Sequence, residues 1–135
     1  MKEKDIQTIF RDTNKVRGVF ELKLCKDNAL PFNAVKEHQR IALLNVSGDT
    51  GFFYKIPDSP IFAGSKTRFS GLKPFDCFAL SNIPAYVVIC FYTPRKYKRF
   101  FYILIRDFLD EEMFSCRKSL TMERAKEISE CFYDG

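Results

Sequence analysis

Residues Val19 to Lys23 read Val-Phe-Glu-Leu-Lys, an apolar β-type run that carries an acid and a base two positions apart. In a strand successive side chains alternate faces, so Glu21 and Lys23 project together while Phe20, Leu22 and Leu24 turn the other way into packing. A carboxylate beside an ammonium is the minimum equipment for metal-assisted phosphodiester hydrolysis. Glu21 offers oxygen to a divalent cation, and Lys23 can hold an attacking water or offset charge growing on a phosphate. The same pair sits on the wet face of many ordinary strands, so it gains meaning only from its surroundings.

Such hydrolysis needs several oxygens converging on one cation, and the chain must therefore supply another acid. Asp76, within Lys73-Pro-Phe-Asp-Cys-Phe78, is the first candidate. It stands near the start of an otherwise apolar strand, where an unpaired carboxylate is costly to bury. A wet strand end, or pairing with Lys73 or Lys55, would equally account for it. Asp58, beside Pro57, reads as a turn acid, and Asp12 falls at a helix end; both stay open as alternatives. Gln39, in Lys36-Glu-His-Gln39, follows on a helix, where a solvated role is the plain alternative. His38 reads as a surface or half-buried residue. No Ser-His-Asp or Cys-His constellation and no glycine-rich phosphate loop is present.

These residues need a scaffold, and 135 residues suffice for one domain with a real core. Hydrophobic content of 46% with 15 Phe argues for a folded chain and against disorder. The formal charge of +5 leans toward a polyanionic partner. Five scattered cysteines without a Cys-x-x-Cys pair, and one histidine, argue against a disulfide scaffold and a structural zinc site. The charged N-terminus lacks a signal core, and the apolar run from Ala85 to Tyr92 is far short of a membrane span, so a cytoplasmic protein without a membrane partner is expected.

Ile6, Ile9 and Phe10 predict an amphipathic helix from Lys2 to about Asn14. Arg17 to Leu24 is a strand opened by Gly18, and Asn33 is expected to cap a helix from about Ala34 to Leu44 that buries Val35, Ile41, Ala42 and Leu44. Strands follow at Gly51 to Ile56, Phe75 to Leu80, Ala85 to Tyr92 (buried on both faces) and Phe100 to Ile105, the last two joined as a hairpin. Thr121 caps a final helix to about Phe132 with Met122, Ala125, Ile128 and Phe132 inward. Without repeat or linker, the whole of 1–135 reads as a single α/β (α+β) domain, a central mixed sheet flanked by helices. The hairpin tip carries Arg95, Lys96, Lys98 and Arg99 around Tyr97, and the loop before Phe75 carries Lys66, Arg68 and Lys73. Alone the tip reads more simply as a solvated hairpin end; taken together the two basic segments suit DNA phosphates, giving affinity with little sequence information.

A Pro-x-Asp at a strand (Pro74 to Asp76), a Glu21-x-Lys23 in an adjoining apolar strand and a helix carrying Gln39 resemble the PD-(D/E)XK nuclease superfamily. Val19 to Lys23 with Lys36 to Gln39 looks most like its Holliday junction resolvase branch, RecU-like and phage or archaeal-virus enzymes included. Asp76 follows Glu21, whereas the superfamily's aspartate comes first, and the resemblance therefore implies a circularly permuted restriction-endonuclease-like core. It further implies a DNA endonuclease in which Asp76 and Glu21, with the carbonyl of Leu22, ligate Mg²⁺ or Mn²⁺. Lys23 would orient or deprotonate water, and Gln39 would hold water or phosphate. Branched DNA as substrate and a homodimer making paired incisions are implied in the same way. A non-catalytic nucleic-acid-binding module on the same fold is the alternative, and without the permutation Asp12 becomes the fallback acid.

Overall fold

The computed structural model describes residues 1–58, 73–95 and 98–134. Among them, β1 (Val19–Cys25), β5 (Ala85–Phe91), β6 (Arg99–Leu104) and β8 (Cys131–Asp134) make a mixed sheet ordered β1-β5-β6-β8. β1 runs parallel to β5, and the remaining pairs are antiparallel. These strands are built from β-branched and aromatic residues, whose stiff or bulky side chains pack well on a pleated surface.

Alternation along the central strand divides the core in two. Ala85, Val87, Ile89 and Phe91 point into one layer, and Tyr86, Val88 and Cys90 into the other; every residue of β5 is buried. On the second face lies α1 (Glu3–Thr13), which inserts Ile6 and Phe10 against Phe20, Leu22 and Leu24. The first face is covered by α2 (Glu37–Ser47) through Leu43 and Val46, and by α3 (Ile105–Phe114) through Ile105 and Phe108. α4 (Met122–Ile128) adds Ala125 to the same layer. A short ribbon pairs β2 (Ala29–Pro31) with β7 (Ser119–Thr121). The chain is thus mixed α/β, and no described helix is long and apolar enough to cross a membrane.

Several boundaries differ from expectation, each for a local reason. Helix α2 starts at Glu37, not Ala34, because residues 32–34 form a 3-10 turn and the Lys36 N–H is capped by Gln39 Oε1 at 2.9 Å, half of a capping box. That shift puts Gln39, Leu43 and Val46 on the inward face and turns Ile41 out, 51% exposed. β3 (Phe52–Lys55) and β4 (Cys77–Leu80) form a separate hairpin instead of joining the central sheet. Its base is anchored by Phe52 and Leu80 against the first core layer, while the Asn82 and Ile83 N–H groups donate to Gly48 and Val46 carbonyls. Ile105 opens α3 instead of closing a strand. The last helix stops at Ile128, residue 132 belongs to β8, and Met122 is exposed.

Candidate active site

Glu21 and Lys23 share the face of β1 that looks toward α2, as strand alternation requires, with Val19 and Cys25 packed in the core on either side. β1 is an edge strand, so this face borders solvent. The Lys23 side chain is 12% exposed and that of Glu21 27%. Lys23 Nζ stands 3.4 Å from Glu21 Oε1, which offsets the cost of holding an ammonium so close to an apolar layer.

Gln39 completes the group. From the first turn of α2 its Nε2 donates to Glu21 Oε1 at 2.9 Å, and its Oε1 accepts from the Lys36 N–H. Glu21 Oε1 thus carries both contacts, and Oε2 makes none among the described residues. The backbone adds a further oxygen. Val19 N–H donates to the Pro84 carbonyl and the Cys25 carbonyl accepts from Tyr92 N–H, so odd-numbered residues of β1 bond to β5. By parity the Leu22 carbonyl points to the open edge beside Glu21. One free carboxylate oxygen and one edge carbonyl are hard ligands suited to Mg²⁺ or Mn²⁺.

Asp76 follows the alternative reading, an exposed strand-end acid paired with Lys73. It precedes β4 instead of lying inside a strand, its side chain is 86% exposed, and it pairs with Lys73 at 3.2 Å. Lys73 also holds Asp58, at 2.5 Å. The hydrogen bond to Lys73 pulls the Asp58 carboxyl below its ordinary range, and Asp58 and then Asp76 raise the Lys73 ammonium. The two acids are therefore joined by one cation, whose charge they offset. Asp12 pairs with Arg11 on α1, which covers the face of the sheet opposite to Glu21. Among the described residues no three His, Cys, Asp or Glu side chains are grouped to hold a metal ion. His38 is exposed.

The basic turn lies at the sheet end where the Cys25 carbonyl meets Tyr92, the end toward which Lys23 stands. Arg95 is exposed there with a left-handed backbone, φ 64°, while Lys98 and Arg99 are half-buried. Lys66, Arg68, Lys96 and Tyr97 lie outside the described residues.

Two supporting residues carried little or no signal. The Lys36 N–H fixes Gln39, legible only as a Gln three residues after a helix cap. Arg40 bonds the Phe32 and Val35 carbonyls and Glu112 and lies over the Phe108 ring, a partnership invisible locally because Glu112 is 72 residues away.

Comparison of the chain with protein-family models, with curated proteins and with solved structures found no match.

Proposed function

We propose that this protein is a metal-dependent DNA endonuclease with a circularly permuted, restriction-endonuclease-like core of the PD-(D/E)XK type. The observation that supports it is the convergence of Glu21, Lys23 and Gln39 from a strand and a helix, with one Glu21 oxygen held and the other free. A permuted order puts the Glu-x-Lys strand and the Gln helix first and the hairpin bearing Asp58 and Asp76 after them.

In this reading Glu21 and the Leu22 carbonyl would hold Mg²⁺ or Mn²⁺, and Asp76, paired with Lys73 in this structure, would be the further acid that the family likeness calls for. The bound cation supplies Lewis-acid stabilisation of phosphate charge and lowers the pKa of a water. Lys23, fixed beside Glu21, orients that water or neutralises charge building on the phosphate. Arg95, Lys98 and Arg99, with Arg68 and Lys96, hold the DNA backbone, which gives position without sequence choice. Branched DNA cut by a homodimer is the substrate and assembly that the Holliday junction resolvase likeness favours, in a soluble cytoplasmic setting.

The test is incubation with a labelled four-way junction and its linear duplex in Mg²⁺, Mn²⁺ or EDTA, beside Lys23→Ala and Asp76→Ala. Wild type should cut only with metal, and Lys23→Ala should lose at least about 100-fold. Cutting that survives Asp76→Ala moves the second acid elsewhere. A non-catalytic nucleic-acid-binding module is the second reading. The engagement of Asp76 by Lys73, with no metal-holding group of three side chains among the described residues, favours it. Salt-sensitive DNA binding by a folded wild type that never cuts would select it.

A further inference from the structure

We infer that Gln39 is a positioning residue that locks one oxygen of Glu21 so that the other faces the cation, instead of itself holding water or phosphate. The inference rests on the endonuclease reading. A glutamine amide has one accepting and one donating end, and here both are committed. Oε1 takes the Lys36 N–H at 2.9 Å, which fixes the amide's direction. Turning it over would set an NH₂ against a backbone N–H and a carbonyl oxygen against a carboxylate, two repulsions in place of two hydrogen bonds. Nε2 must therefore donate to Glu21 Oε1, as it does at 2.9 Å.

Two things hold the amide still. Gln39 shares the inward face of α2 with Leu43 and Val46, which are buried against β5, so its backbone is fixed to the same layer as Glu21. Lys23 Nζ approaches the same Glu21 oxygen at 3.4 Å, so the amide and the ammonium both engage Oε1. The arrangement selects ligation through one oxygen before any ligand arrives, and residues that orient a ligating carboxylate are worth about 10–100-fold in affinity or activity.

Gln39→Glu separates this role from capping. A glutamate at the third helical position still accepts the Lys36 N–H, but it loses the donor to Glu21 and sets a second carboxylate against it. Gln39→Ala loses both functions. Melting temperature, Mn²⁺ affinity by paramagnetic resonance, and kcat and KM on a DNA substrate should be measured for both variants. For Gln39→Glu we expect a melting temperature lowered without metal by the repulsion of the two carboxylates and restored by Mn²⁺, Mn²⁺ bound at least as tightly, and kcat down at least about tenfold with KM within about twofold. For Gln39→Ala we expect a lower melting temperature, weaker Mn²⁺ binding and a similar loss of kcat. Wild-type kcat in Gln39→Glu, or losses that merely follow melting temperature across the variants, would overturn the positioning role alone. A folded wild type that binds no Mn²⁺ overturns the endonuclease reading and this inference with it.

Discussion

A Cβ at Gly18 would lie 2.5 Å from the carbonyl oxygen of Pro84, the same oxygen that accepts the Val19 N–H at 2.9 Å. The first rung joining the Glu-x-Lys strand to β5 is therefore closed by a glycine. Its φ of +156° is also one that residues with a side chain rarely adopt. Gly18→Ala must push the two strands apart at the entrance to the site. We expect a loss of about 2 kcal/mol in urea unfolding, with Glu21 displaced three residues further on. A wild-type urea midpoint for this variant would show that the rung tolerates a side chain.

Arg40 makes the other long-range tie beneath the site. Its guanidinium bonds Glu112 and the carbonyls of Phe32 and Val35, so one side chain joins α2, α3 and the 3-10 turn that precedes Gln39. Arg40→Ala leaves a half-buried carboxylate and the Val35 carbonyl without the Arg40 donor, while the Phe32 carbonyl keeps only the Val35 N–H, and should cost about 2–3 kcal/mol. Arg40→Lys should recover little of it, because an ammonium cannot spread donors over three acceptors set apart in a planar fork. Equal thermal midpoints for Arg40→Lys and wild type would contradict this account.

Where local pattern decides, the sequence was a sound guide. Alternation alone places Glu21 with Lys23 and turns Phe20, Leu22 and Leu24 the other way, and the unbroken apolar run of β5 is buried on both faces. Periodicity likewise finds α1 through Ile6 and Phe10. The errors fall where two signals compete or where a distant partner decides. Asn33 offers a helix cap, but the chain spends residues 32–34 on a 3-10 turn and starts α2 with the Lys36–Gln39 bond, which moves the inward face from Ile41 to Leu43 and Val46. Ile105, Phe108 and Leu109 carry helical spacing, yet they follow the apolar β6 without a turn residue between, and the helix is masked by the strand before it. Residue 132 pairs with Phe101 of β6, a tertiary contact that overrides the helical spacing after Thr121. Asp76 pairs with Lys73 three residues before it, the alternative that the sequence offered, whereas the sharing of Lys73 with Asp58 joins residues distant in sequence and carried no local signal.

Alkaline pH should weaken the fold from about pH 9 upward. Burial pushes the Cys90 thiol from 9.0 up to about 11, with nearby Lys98 opposing, and burial likewise raises Cys25 and the Tyr86 phenol. Each is an acid kept neutral by folding. Above pH 9 for the thiols and pH 10 for the phenol, the unfolded chain sheds these protons while the folded one retains them, so stability falls as pH rises. Between pH 9 and 11 Cys90 accounts for up to about 2 kcal/mol of that loss. Urea midpoints between pH 7 and 11 should decline, and Cys90→Ala, though less stable at pH 7, should decline less steeply. A flat profile would show that these thiols ionise freely in the folded state.

Lys23 should separate activity from stability. Its ammonium is nearly enclosed against the first core layer and leans on a single carboxylate that already has Gln39 as a donor. Desolvating a cation is expensive, and removing this one strands no carboxylate, because the Glu21 side chain is 27% exposed to water and keeps Gln39 as its donor. Lys23→Met should therefore keep its urea midpoint within about 1 kcal/mol of wild type, or raise it, while the metal-dependent DNA cleavage proposed above is lost. Glu21→Ala is the counterpart: it strands Lys23 without its acid and should lose about 1–2 kcal/mol together with Mn²⁺ binding. A residue kept for structure alone would show the reverse for Lys23→Met, with stability falling and cleavage following it only as far as the unfolded fraction dictates. The ratio of cleavage to folded protein, measured at matched temperature for both variants, decides between these outcomes.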